Sequence, residues 1–137
     1  MDNGLALELH NFIAQCPDLP VTQDLFFLDT LPKDKCLSLR MQGGEVLHND
    51  IDGYKQIRYP FNLLFKDTAA QSPEERSAMI ESLNKTGTWM ASQSLPAFDN
   101  MTWEKISQTI FGAISTDENE EGAYIAKYVL ILSFIEN

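Results

Sequence analysis

The last stretch of the chain does most to limit what it can fold into. From Tyr124 onward the even-numbered positions (Tyr124, Ala126, Tyr128, Leu130, Leu132, Phe134) form an unbroken apolar face. The odd-numbered ones (Ile125, Lys127, Val129, Ile131, Ser133, Ile135) are mostly apolar as well. A strand with one wet face alternates, whereas a strand apolar on both faces is buried between layers. The segment is therefore expected to be a central, sandwiched strand on which folding depends. Its apolar run, Tyr128 to Ile135, falls far short of the ~20 residues a membrane span needs.

Other elements follow from periodicity. Leu5, Leu9, Phe12 and Ile13 share one stripe of an amphipathic helix, which Pro17 and Pro20 stop. Leu25 to Leu28 is a short strand, followed by a turn at Thr30–Asp34. Leu37, Leu39 and Met41 then alternate with Ser38, Arg40 and Gln42, and Gly43-Gly44 ends that run. A second alternating run (Ile57, Tyr59, Phe61, Leu63, Phe65) completes an antiparallel hairpin with a long connection, Gly43 to Gly53. Pro60 cannot donate to a ladder, which predicts an edge position or a bulge there. Ser72-Pro73-Glu74-Glu75 carries a capping box with proline in the first helical position. The helix it opens bears Met79, Ile80, Leu83 and Met90 on one side and runs to about Gln93, with Gly87 marking a close contact. Trp103 to Ala113 forms the partner of the last strand, with Ile106, Gln108 and Ile110 alternating against Trp103, Lys105 and Phe111. Strands with segregated helices indicate an α+β fold, a mainly antiparallel β-sheet flanked by two helices. At 137 residues a single domain, 1–137, is expected.

Charge narrows the function. Ten Lys and Arg against twenty Asp and Glu give a formal charge of −10. Gripping nucleic-acid phosphates or an anionic membrane relies on an excess of cations, so both roles are disfavoured. Cys16 and Cys36 lack metal or redox spacing and read as small core residues. The start, Met1-Asp2-Asn3-Gly4, has no basic region of a secretory signal, so a reducing cytoplasm is the expected compartment.

Two acidic segments are the candidate sites. Glu45-Val46-Leu47-His48-Asn49-Asp50-Ile51-Asp52 contains a His and three carboxylates, without the spacing of a calcium loop or a zinc site. It reads as a solvated hairpin tip or, since the connection is longer than a hairpin needs, a protein-docking loop through Glu45, His48, Asp50 and Asp52. Asp117, Glu118, Glu120 and Glu121 crowd the second hairpin's loop, which reads as a solvated turn or else as a contact for a basic partner or an acidic lining. His10 reads as a surface residue rather than a catalytic base. No nucleophile elbow, Cys–His signature or phosphate-cradling glycine motif is present, so neither an enzyme nor a cofactor is expected.

Several segments, in order, resemble a known family. These are the N-terminal helix ending near Pro17, Phe27-Leu28-Asp29-Thr30-Leu31-Pro32, and Cys36-Leu37-Ser38-Leu39-Arg40-Met41-Gln42-Gly43-Gly44. Tyr59-Pro60-Phe61-Asn62-Leu63-Leu64-Phe65-Lys66 then leads toward the capped helix, and Ile114 to Phe134 ends the chain. The pattern resembles the small tail-terminator proteins of long-tailed bacteriophages, a lambda-like fold also known as minor capsid proteins in phages of Gram-positive bacteria. The resemblance implies a structural role in the virion neck after assembly in the host cytoplasm. Such subunits form a ring, typically a hexamer, that caps the tail tube, stops its polymerisation and offers a head-tail joining surface. The implied partners are other copies of the chain, the tail tube protein and the head-tail connector or stopper, with DNA only in transit and no membrane. Six copies at −10 each would carry a formal charge of about −60, suited to a bore past which DNA slides. The alternatives are another neck or head-completion protein or, in a different class, an acidic DNA-mimic inhibitor.

Overall fold

A computed structural model describes residues 4–32, 34–67, 72–95, 97–98, 101–114 and 123–135. In chain order these form α1 (Leu5–Ile13), a 3-10 turn at Gln23–Leu25, β1 (Phe26–Leu28), β2 (Lys35–Met41), β3 (Glu45–Asn49), β4 (Tyr54–Asp67), α2 (Pro73–Ser92), β5 (Ala97–Phe98), β6 (Met101–Ile114) and β7 (Ala123–Ile135). The seven strands form one sheet in the order β1-β2-β4-β7-β6-β5, with β3 also paired to β4. The fold is α+β. All pairings are antiparallel except β1 with β2, where Phe26 stands beside Leu37 in a parallel register.

Both helices pack on the same face. Leu5, Leu9, Phe12 and Ile13 of α1 and Met79, Leu83 and Met90 of α2 join one apolar core with Leu37 and Leu39, the odd-numbered residues Ile57 to Phe65, and the even-numbered residues Tyr124 to Phe134. Phe12 bridges the layers, its ring centroid 5.2 Å from Trp89 and 5.9 Å from Trp103. Tyr128 stacks on Phe61 at 5.2 Å and donates a 2.7 Å hydrogen bond to the Leu83 carbonyl. The capping box at the start of α2 is complete: Ser72 Oγ accepts from the Glu75 amide, and Glu75 accepts from the Ser72 amide. Gly87 is the close contact its place in a helix suggests. A Cβ there would stand 2.5 Å from Gln108 Oε1 and 2.8 Å from the Tyr128 ring.

Three expectations change. The sandwich around β7 is partial: the even face is buried under the helices, whereas on the odd face Val129 and Ser133 are buried, Ile125 and Ile131 half-buried and Lys127 and Ile135 exposed. Pro60 is not on an edge strand, because β4 lies between β7 on one side and β2 with β3 on the other. Its carbonyl accepts from the Gln42 amide at 2.9 Å. The amide and carbonyl of one antiparallel residue point the same way, so the donor Pro60 lacks would face the break between β2 and β3. One bond of the Gln42–Pro60 pair therefore forms, the return bond cannot, and the regular pairing of β2 ends there. In β6 the simple alternation fails because the register shifts between Trp103 and Lys105, between Gln108 and Ile110, and between Ile110 and Ala113. Each bulge changes which face the next residue joins, so Trp103 and Ile106 are both core residues while Ile110 is exposed. Gly43-Gly44 breaks the strand as expected, and the chain then resumes as β3 along the same side of β4.

Candidate functional site

The long connection expected from Gly43 to Gly53 is mostly strand. β3 pairs antiparallel with β4 (Glu45 with Arg58, Val46 with Ile57, His48 with Gln56, Asn49 with Lys55), with a bulge between Val46 and His48. Only residues 50–53 turn. The Asp50 amide donates to the Tyr54 carbonyl at 3.0 Å, and the Gly53 amide to the Asp50 carbonyl at 3.2 Å. Gly53 has φ +89, the left-handed position that closes a three-residue hairpin loop and favours glycine. Asp50 Oδ1 accepts from the amides of Asp52 and Tyr54, at 2.9 and 3.2 Å, so its carboxylate builds the turn. The result is an ordered β-arm at one corner of the sheet.

The structure brings Glu45, His48, Asp50 and Asp52 onto this arm, but not into a ligand cluster. Glu45 lies 4.0 Å from Arg58 across the ladder, an exposed pair worth about 0–1 kcal/mol. His48 Nε2 is 3.7 Å from Asp50 Oδ2, and its ring centroid is 5.7 Å from that of Tyr54. Among the described residues no three His, Cys, Asp or Glu side chains are grouped to hold a metal. Asp117, Glu118, Glu120 and Glu121 lie outside the described residues.

Reading the charges missed the arm's apolar side chains. All five residues of β3 are exposed, and Val46 is 55% and Leu47 46% accessible. Ile51, at the tip, is 100% accessible. The signal was present in the sequence: an isoleucine inside Asn-Asp-x-Asp-Gly has no turn-forming use. The outer edge of β3 has no neighbouring strand among the described residues, so its backbone is open to pairing.

A second exposed apolar patch lies across the sheet. Ile110 is 47% and Phe111 66% accessible. Phe111 forms one wall of a shallow groove lined by Gly87, Thr88, Ala91 and Ser92 of α2 and by Ser107 and Gln108 of β6. Asn84 ties the two elements together beside it, its Oδ1 accepting from Gln108 Nε2 and from the Gly112 amide, each at 2.9 Å.

The remaining reactive groups are structural. His10 is not a free surface residue: it is half-buried, donates from Nε2 to the Phe26 carbonyl at 2.9 Å and stacks on the Phe26 ring at 4.0 Å. Cys16 and Cys36 are buried and form no disulfide. Burial pushes the Cys16 thiol up, against the pull of hydrogen bonds from Asp18 and Thr86, whereas a reactive cysteine needs the opposite shift. No helix of the described residues is long and apolar enough to cross a membrane. Comparison of the chain with protein-family models and with curated proteins finds no match.

Proposed function

We propose that this chain is a structural assembly subunit that works through protein docking, and specifically a phage tail terminator. In this reading it forms a ring that caps the tail tube, stops its growth and offers a joining surface to the head connector. The observation that supports docking is the β-arm, where a strand edge with no neighbour among the described residues runs into an ordered turn that bears a fully exposed Ile51. Edge strands in soluble proteins are usually blunted or covered, and an exposed apolar cluster at such an edge marks a contact surface. The tail assignment itself rests on the ordered sequence resemblance. The −10 charge suits the role, since subunits made before the tube is ready repel one another.

The test is negative-stain electron microscopy of particles from a phage or prophage lacking this gene. Over-long, headless tails are expected. Normal-length tails beside full heads would move the assignment to a neighbouring neck protein. Normal virions would overturn it in favour of the inhibitor reading.

A further inference from the structure

We propose that the helix-free face of the sheet is a second docking surface, which takes an acidic segment of another protein whose carboxylates alternate with apolar side chains. The proposal rests neither on the arm nor on the tail assignment. Three observations carry it.

First, strand register gathers cations on that face. Residues paired across a ladder point to the same side of a sheet. Arg58 pairs with Ile131, and Ile131 with Lys105. Asn62 pairs with Lys127, and Lys127 with Ile110, while Lys66 stands beside Ala123. β2 adds Arg40 next to Asn62. Half of the chain's ten Lys and Arg therefore share one face of a protein whose formal charge is −10. Between the levels of Arg58 and Lys66, β4, β7 and β6 place no acid there. Glu45 meets Arg58 from β3 at 4.0 Å, and Glu104 turns toward the end of the face, to Gln56 and Tyr54. Lys105 and Lys127 are exposed and have no carboxylate partner among the described residues.

Second, apolar side chains lie between those cations. Pro60 and Val129 are register partners one level from Arg58 and one from Lys127. Ile125 and Ile131 are half-buried, and Ile110 is exposed. Val129 and Leu64 are buried, yet neither belongs to the core that the helices cover. Apolar residues fringed by cations are complementary to apolar residues fringed by carboxylates, and such charges steer and orient a contact.

Third, size and chemistry select the occupant. The patch runs about 20 Å along β7 from Ile125 to Ile131 and about 14 Å across from β2 to β6, at ~3.3 Å per residue and ~4.8 Å per strand. The area enclosed, roughly 300 Å², is well below the ~800 Å² that each partner of a stable folded interface contributes. A segment fits it, and a second folded copy does not. Nucleic acid suits it less, because β2, β4, β7 and β6 offer no aromatic ring there for a base to stack on, and the net charge repels phosphates.

Amide NMR spectra of the full, isotope-labelled chain test this. The probe is a synthetic peptide of alternating glutamate and leucine, with a lysine–leucine peptide and oligothymidylate for comparison. The glutamate peptide should bind saturably and shift the amides of Lys105, Ser107, Lys127 and Ile131 while the arm stays unmoved. Lys105→Glu combined with Lys127→Glu should weaken binding roughly tenfold or more, and added salt should weaken it in the wild type. Both lysines are exposed, so far-UV circular dichroism should be unchanged. Lys105→Gln with Lys127→Gln removes the charge without reversing it and should lose less, which keeps the test open if the reversal disturbs folding. No saturable binding overturns the proposal, as does equal affinity in both double variants and the wild type. Tighter binding of oligothymidylate, or equal binding of the lysine peptide, overturns it too, since the face then does not select an acidic polypeptide. So does self-association of the wild type in sedimentation velocity that the double reversal abolishes, because the occupant is then a second copy.

Discussion

β3 and β7 both pair with β4, at its two flanks, and they could hardly differ more. In β7 every even-numbered residue from Tyr124 to Phe134 is buried, and Ala126, Tyr128, Leu130 and Leu132 are fully inaccessible. In β3 nothing is buried. The ladder contacts are alike in kind, so hydrogen bonding does not explain the contrast. Helices do: α1 and α2 cover the core face of β7, and neither reaches the corner where β3 lies. A strand's share of stability follows the apolar area its face loses to water, about 25 cal/mol per Å². Strand pairing alone leaves a segment free to be changed. The chain therefore separates a part that holds it together from a part that can meet a partner.

The largest expected effect tests that separation directly. Leu130→Ala in β7 should cost about 2–5 kcal/mol in urea unfolding, through lost burial and the cavity left behind. Val46→Ser in β3 should stay within about 0.5 kcal/mol. Equal costs at the two sites would break the comparison.

Next comes Gly87→Ala. Alanine favours a helix by about 1 kcal/mol over glycine, yet its Cβ would collide with the Tyr128 ring and Gln108. Overpacking should win, with a net loss of about 1–3 kcal/mol. A gain in stability would mean that α2 can shift on β7 without cost.

A smaller effect separates the buried strand from the arm by pH. Burial pushes the Tyr128 phenol well above its ordinary value of 10.0. An acid whose folded pKa is raised contributes stability that is complete below the unfolded pKa and lost as pH rises through the folded one. Stability should therefore fall as pH climbs above about 10. Tyr128→Phe should flatten that fall and cost about 1 kcal/mol at neutral pH for the lost bond to Leu83. Cys16, also raised by burial, adds to the fall, starting nearer its own ordinary value of 9.0. An unchanged alkaline slope in Tyr128→Phe would show that the phenol is not what titrates.

Smallest of all, Glu45→Gln on the arm should change unfolding by no more than about 0.5 kcal/mol, because its pair with Arg58 is exposed. A larger loss would mean that the arm contributes to the folded core.

The same division explains what was legible in the sequence. The amphipathic stripe of α1, the capping box of α2 and the central place of β7 could be read because each depends on a local period or a local cap. What escaped needed knowledge of a neighbour. The missing donor of Pro60 falls where the opposite strand breaks, and the phase of β6 depends on bulges that its composition does not announce. On the arm, the carboxylates drew attention because they look like ligands, while Asp50 is occupied by backbone amides. The better guide was Ile51, an apolar residue where turn chemistry calls for a polar one.

The break between β2 and β3 has an evolutionary consequence. Side chains in a strand alternate in direction, so a slip of one residue exchanges its two faces. The tight turn at residues 50–53 sets the register of β3, so a residue gained or lost in that turn would slide β3 against β4 and present the opposite face of the arm, with the joint at 42–44 taking up the shift. β2 and its pairing with β4 would keep their register, because the joint lies beyond Met41. Such a joint lets insertions and deletions, usually ruinous within a sheet, act as a means of changing partners. A lineage could replace what the arm recognises in one step while inheriting its core unchanged.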